Sequence, residues 1–562
     1  MPAFDSVAIS GAANLDLMLS VVAILAAFGL IAMMFLDGIR LAQRGILTGN
    51  FSIHIDAITV AICRIAYRAG LSYVGLANVR QVLIDDGLLL VGDGATGNPS
   101  SDERSRRPEL INETLANAAA LPWGAVLSSK SFVPVFDLGY ADYATMAFRL
   151  FGLRIEALYY MYFALLTTSC AVFGLAYYQN PAGLWSLCLM LATLRWLKLY
   201  QKPADTQNMD YVYAQHFLST LTVIPAFHLI LGVTSAQPLT WISLLACIIQ
   251  AFIIVTSFRI RYAASWVLFA IAAAAAAWFV VHLNHAMALP TAALQFAVAA
   301  WRGDVQAPSG AIWHEAIADI AGLWLVLATA FVFAWQSWRY RRRLSPIYKG
   351  DEIPDSYPRW HAAYVGLAMD PVTWRRNMRR GQSDRLEDHN VLLAAYHWLQ
   401  TTPEGALRYP GLRPELQDFH LHKWRMKWRA YDELIRQAFF AYLRQNIGSI
   451  PGLYLIHKPR ALLGGVSHAL GAVMNGLRRQ HPIQAAFLGI ALSVFGIAAF
   501  ARVGSGAVAG AIICLLVASP APQIWAYTIA HGLADQSWIA FFAAWALCLW
   551  AMAAIFAPLM FG

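Results

Sequence analysis

The sequence predicts an all-α polytopic membrane protein of about ten transmembrane helices, with a mainly helical soluble insertion. Three observations predict it. The 562 residues are 59% hydrophobic and only 13% charged, with a mean hydropathy of +0.51, whereas soluble domains carry about 25% charged residues. Leu17–Leu36 contains no charged residue and, at about 1.5 Å per residue, is long enough to cross a hydrocarbon core of roughly 30 Å. The excess positive charge is concentrated: 339–481 holds 23 Lys and Arg against 12 Asp and Glu, a net of +11, while the whole chain carries +9.

The first span lacks a basic leading segment, and no small-x-small cleavage site precedes Asp37, so it reads as a retained helix that leaves the bilayer at that acid. The loop from Asp37 to Glu156 is mixed in character. Ile53–Leu76 is apolar but interrupted by His54, Asp56, Arg64 and Arg68, the pattern of an interfacial helix. Gly92–Pro108 is turn-forming and charged, and Glu109–Leu121 follows as a helix with Pro108 at its start. Further spans are expected at Ala157–Tyr178, Pro181–Leu199, Val212–Val233, Leu239–Phe258, Ala263–Leu283 and Ile320–Trp338, and near Ile483–Ala501, Ala507–Ala530 and Trp538–Phe561. The chain thus divides into a transmembrane module (1–338) with a large first loop (37–156), a basic insertion (339–481) and C-terminal helices (482–562).

Several function classes lack a motif. There is no Walker sequence, no GxSxG elbow and no HExxH. Gly92–Gly97 spells GxGxxG, but Asn98-Pro99 follow where a dinucleotide site needs a helix to open. Five of the six cysteines fall in apolar runs without CxxC spacing, so they read as packing residues. The basic, tryptophan-rich run Lys423–Arg429 would suit nucleic acid in a soluble protein. Beside a bilayer, anionic headgroups or lipid phosphates are the better partner, and no nucleic acid is expected.

Two stretches point to a function. Asp37 is followed by Arg40, Leu41 and Ala42, and the segment closes on Gly49-Asn50-Phe51. Ala141–Tyr178 presents an aromatic residue, apolar positions at helical spacing, Leu150-Phe151-Gly152, a short polar step and then a span. In this order they resemble the first extracytoplasmic loop and second span of GT-C superfamily glycosyltransferases, of the protein mannosyltransferase and aminoarabinose transferase type. The second acid commonly found beside the first in that family is Gly38 here.

The resemblance implies transfer of a sugar, with inversion, from a lipid-linked donor (a polyprenyl phosphate sugar) to an envelope lipid, glycan or protein in a bacterial inner membrane. It implies a base-like role for Asp37. Such transfer needs a base for the acceptor hydroxyl and cations or a metal for the leaving phosphate; whether a divalent metal takes part stays open. Arg40 would contact the phosphate or pair with Asp37. Arg64 is a further candidate cation. Asp137 and Asp142 flank the turn before the second span, as a second acid or, for Asp142, as a helix cap. Trp360 and His361, with Asp370, Asp388 and His389, could line a sugar pocket or belong to an ordinary folded domain. Asp85-Asp86 and Asp418–His422 are lesser candidates for a metal, against an exposed turn and a helix.

Topology is contested within the sequence. The resemblance puts Asp37 outside, yet Arg195, Lys198, Lys202, Arg259, Arg261 and Arg339–Arg343 then share its side, against the tendency of short cytoplasmic loops to be positive. Two other functions compete. A transporter would use the intramembrane His216 and His228, and an envelope scaffold would dock a partner on the insertion.

Overall fold

The structure is a computed structural model and describes residues 3–43, 55–68, 73–85, 101–127, 132–134, 138–196, 215–234, 240–260, 266–281, 310–346, 359–369, 403, 428–460, 482–502, 506–518 and 533–561. It is helical almost throughout. In order the helices are α1 (Ala3–Gln43), α2 (Ile55–Ala66), α3 (Ala77–Asp85), α4 (Ser101–Ala119), α5 (Trp123–Leu127), α6 (Leu138–Phe151), α7 (Glu156–Ala176), α8 (Pro181–Trp196), α9 (Gln215–Thr234), α10 (Trp241–Ile260), α11 (Trp266–Val281), α12 (Gly310–Arg343), α13 (Arg359–Val365), α14 (Trp428–Gln445), α15 (Pro482–Arg502), α16 (Gly506–Ala518) and α17 (Leu533–Phe561). After α14 a short turn, Ile450–Gly452, runs into a π-helical turn, Leu453–His457. The one sheet among the described residues is an antiparallel ribbon of β1 (Val74–Leu76) and β2 (Phe132–Pro134), with Gly75 opposite Val133.

Three helices are long and apolar enough to cross a membrane: Asn14–Ile39 within α1, Glu156–Ala176 and Trp241–Ile260. Six other apolar helices are shorter, among them Pro181–Arg195, Leu221–Val233 and Gly506–Ala518. This is fewer full-length spans among the described residues than the ten expected from hydropathy. The 13 described residues of α16 rise about 20 Å.

Residues Ala23, Ala27, Leu30 and Met34 recur every three or four positions along α1 and are buried, while Leu17, Val21, Leu25 and Phe28 face outward. The alanines admit α8 so closely that the Cys188 thiol donates to the Ala23 carbonyl, 3.0 Å away. An ion pair marks each end of this packed stretch. Arg502 at the end of α15 meets Asp16 at 3.0 Å, and Arg195 near the end of α8 meets Asp37 at 3.3 Å. The two acids are 21 residues apart on one helix, about 31 Å of rise, matching the thickness of a hydrocarbon core. One expectation is corrected here: α1 does not end at Asp37 but continues to Gln43.

Polar groups inside the bundle satisfy one another. Ser169 donates to Gln250 Oε1 at 2.8 Å, Gln250 Nε2 donates back to the Ser169 carbonyl at 2.9 Å, and the same Nε2 lies 3.4 Å from His228 Nδ1. The Tyr177 hydroxyl donates to the His228 carbonyl at 2.9 Å. This network ties α7, α9 and α10 together where no water is available to do so.

Candidate functional site

The end of the bundle that carries Asp37 also carries a second cluster, built on the first loop. The small residues Ala141, Ala144 and Ala147 of α6 are fully buried, as are Ile55, Ile58 and Ile62 of α2. These helices pack side by side, which places Arg64 in the last turn of α2 beside Asp142, one turn into α6. Arg64 Nη1 donates to Asp142 Oδ1 at 2.6 Å and to Thr145 Oγ1 at 3.4 Å. The Tyr73 hydroxyl donates to the other carboxylate oxygen at 2.7 Å, and the Arg64 guanidinium lies 4.3 Å over the Tyr73 ring. Arg64 is 7% exposed and Asp142 43%, so the arginine is a fixed support and the acid faces outward from it.

Tyr73 has φ +63° and Arg68 φ +52°. Non-glycine residues in this left-handed region cost roughly 1–2 kcal/mol each, and such strain concentrates at functional sites. Burial, and next the neighbouring Asp142 charge, push the Tyr73 phenol well above its usual pKa, so it stays protonated as a donor to the acid. Burial likewise pushes the Cys63 thiol of α2 up to about 11, which keeps it a packing residue and not a nucleophile.

The last turn of α10 adds Arg259. Its Nη2 donates to Ser337 Oγ at 2.8 Å, its guanidinium lies 4.2 Å over the Tyr340 ring, and that ring stands 4.8 Å from Tyr73. Its Nε is buried and makes no hydrogen bond among the described residues. A Cβ at Gly139 would collide with the Arg259 carbonyl, so only glycine lets α6 start against the end of α10.

Helix α12 fixes the depth of this cluster. Ser337 and Tyr340 face inward to Arg259, while Trp335 and Trp338 are exposed on the opposite face. Arg339 lies 5.5 Å over Trp335 and Arg342 4.0 Å over Trp338. Outward tryptophans capped by arginines are the pattern of a membrane–water interface.

Asp37 stands at the same end of α7. The Tyr143 hydroxyl of α6 donates to the Leu158 carbonyl. The next residue, Tyr159, packs into the space left by Gly38 and donates to the Met34 carbonyl at 3.4 Å. One turn of α7 therefore receives α6 on one side and α1 on the other. Arg64, Arg195, Arg259 and the end of α12 all belong to this end, whereas Arg502 lies at the other.

The structure thus brings Arg64 to Asp142 and puts Asp37 at the same end of α7. Trp360 and His361 lie elsewhere, in α13. The Trp360 backbone N–H donates to Asp432 at 3.0 Å, and its ring packs 5.5 Å from Phe439 and 5.3 Å from Phe440. His361 is buried. These contacts join α13 to α14 and occupy the aromatic face that a sugar would need. His228, the candidate of a transporter, is enclosed by Phe173, Tyr177 and Gln250, a core histidine with its polar groups engaged.

Asp137, Asp86, Gly92–Gly97, Asp370, Asp388, His389 and Asp418–His422 lie outside the described residues, as do the side chains of Arg40, Asp85 and His216. Among the described residues no group of three or more His, Cys, Asp or Glu side chains could hold a metal ion. Sequence reasoning missed Tyr73, which stands in no periodic pattern, and it counted Arg195 and Arg259 only as charges. Comparison with family models, with curated proteins and with solved structures found no match.

Proposed function

We propose that the chain is a multi-pass membrane glycosyltransferase, with about ten helices crossing the bilayer, that moves a sugar from a polyprenyl-phosphate donor to an envelope acceptor. The observation that carries this reading is the gathering of Asp37, Asp142, Arg195 and Arg259 at the interfacial end of α7. A polyprenyl-phosphate sugar presents its reacting carbon at this depth, with its isoprenoid chain in the apolar layer.

In this reaction the acceptor oxygen forms a bond to the anomeric carbon, the bond from that carbon to the phosphate oxygen breaks, and polyprenyl phosphate leaves. Asp37 takes the acceptor proton, and the cations of Arg195 and Arg259 offset the charge left on the phosphate. Arg64 and Tyr73 act through Asp142 by holding both of its oxygens. A fully enclosed His228 argues against the transport reading.

The test is transfer from radiolabelled polyprenyl-phosphate sugars by purified protein in lipid nanodiscs. Asp37→Asn is expected to abolish transfer while melting and monodispersity match the parent. Transfer at the parental rate by a folded Asp37→Asn variant would sink the proposal.

A further inference from the structure

The segment from α14 to Arg460 exposes apolar side chains outside any span. On α14, Leu434, Ile435, Ala438, Phe439 and Tyr442 are buried against α13. The opposite face carries Arg436, Phe440 and Arg444 one turn apart, all exposed. The chain then turns at Asn446–Ser449 and continues through the π-helical turn. Here Ile447 is 76% exposed, Leu455 75% and Ile456 61%, while Leu453 of the same short helix is buried. Exposed branched aliphatics on a folded helical segment are a feature of interaction surfaces.

Its charge identifies the partner. Arg444, His457 and Arg460 border the aliphatic residues and are exposed. Glu433 pairs with Arg436 at 2.7 Å, and no Asp or Glu occurs in the sequence between Glu433 and Asp535, so the segment carrying Arg444, His457 and Arg460 contains cations and no acid. The flanking chain also ties it to the bilayer: α12 reaches the interface at Trp338 and Arg342, and Pro482, 22 residues after Arg460, opens the apolar helix α15. Aliphatic residues that enter an acyl boundary while neighbouring arginines stay among headgroups are how a helix lies on an anionic leaflet.

We infer that residues 436–460 form a surface anchor that docks on the anionic bilayer beside the helical bundle, inserting Ile447, Leu455 and Ile456. This rests on the membrane reading and not on the transferase, and its test involves no catalysis.

The full chain with Cys548→Ser, the one exposed cysteine among the described residues removed, is labelled with an environment-sensitive fluorophore at Ile447→Cys, Leu455→Cys or Glu109→Cys. Each is reconstituted as one copy per nanodisc of phosphatidylglycerol and phosphatidylcholine, with a lipid-borne spin-label quencher. Probes at 447 and 455 are expected to be quenched and the exposed position 109 is not. Arg444→Gln with Arg460→Gln is expected to lower the docked-to-free ratio about tenfold. Quenching at 447 and 455 no stronger than at 109 would overturn the inference. So would blue-shifted but unquenched probes, which mean cover by protein, or equal quenching in phosphatidylcholine alone.

Discussion

The ring of Tyr159 occupies the place where a side chain at residue 38 would begin. This contact sets the distance between α1 and α7 at the level of Asp37, and it accounts for glycine at position 38. Gly38→Ala is expected to destabilise the protein by about 1–3 kcal/mol through overpacking, and Gly38→Asp by more. Thermal unfolding in detergent measures it. Gly38→Ala combined with Tyr159→Leu should cost less than the sum of the single changes; simple additivity would mean that the two residues do not share this space.

Arg64, Tyr73 and Asp142 should behave as one unit. Arg64→Met leaves a half-exposed carboxylate with one donor lost, and Asp142→Asn leaves a buried guanidinium with its charge uncompensated. A double-mutant cycle is expected to give a coupling of about 1–3 kcal/mol between them. Tyr73→Phe should cost about 1 kcal/mol from the lost hydrogen bond. Coupling near zero would show that the pair is formed without consequence.

Gln250 serves both Ser169 and His228 from a position with no exposure. Gln250→Leu is expected to lower stability by about 0.5–2 kcal/mol, the range of interhelical hydrogen bonds in membranes. Denaturation by sodium dodecyl sulfate at increasing mole fraction reads this directly. An unchanged midpoint would mean that α9 and α10 are held by packing alone.

Lys458 gives a pH dependence of determined sign. It is buried, with its ammonium 4.4 Å over the Tyr454 ring, and burial lowers its pKa from 10.5 to about 7. The folded state therefore binds fewer protons than the unfolded state between those two values. Stability gained from this group rises with pH across that window, by about 1.4 kcal/mol per unit at most, and stays at its lowest below pH 7. Melting temperatures of the parent minus those of Lys458→Met should rise between pH 7 and 10. A flat difference would show that the lysine titrates normally.

The helical class and most helix positions were legible in the sequence because apolar runs of bilayer length leave little alternative. The expected segments Leu239–Phe258 and Ile483–Ala501 fall within two residues of the observed Trp241–Ile260 and Pro482–Arg502. The end of α1 was not legible. A charged residue followed by glycine reads as a stop, yet here the helix runs through Gly38 to Gln43, with Tyr159 in the space a side chain would take. Arg64 and Asp142 were individually visible as charges in an apolar setting. Their pairing was not, since 78 residues separate them and their meeting depends on the alanine face of α6. Tyr73 was invisible for another reason: its left-handed backbone is imposed by tertiary contacts and not by a glycine or asparagine. Trp360 was ambiguous because an aromatic residue beside a histidine has the same composition in a sugar pocket and in a helix–helix contact.

The two ion pairs that bracket the packed stretch of α1 bear on biosynthesis. Asp37 finds its arginine 158 residues later, but Asp16 waits for one 486 residues further on. The neutralisation of α1 is thus completed only after the seven expected spans between it and Arg502 have been made. Nascent chains halted before residue 502 are expected to leave a cysteine at position 16 open to aqueous alkylating reagents, and release of the finished polypeptide is expected to close it.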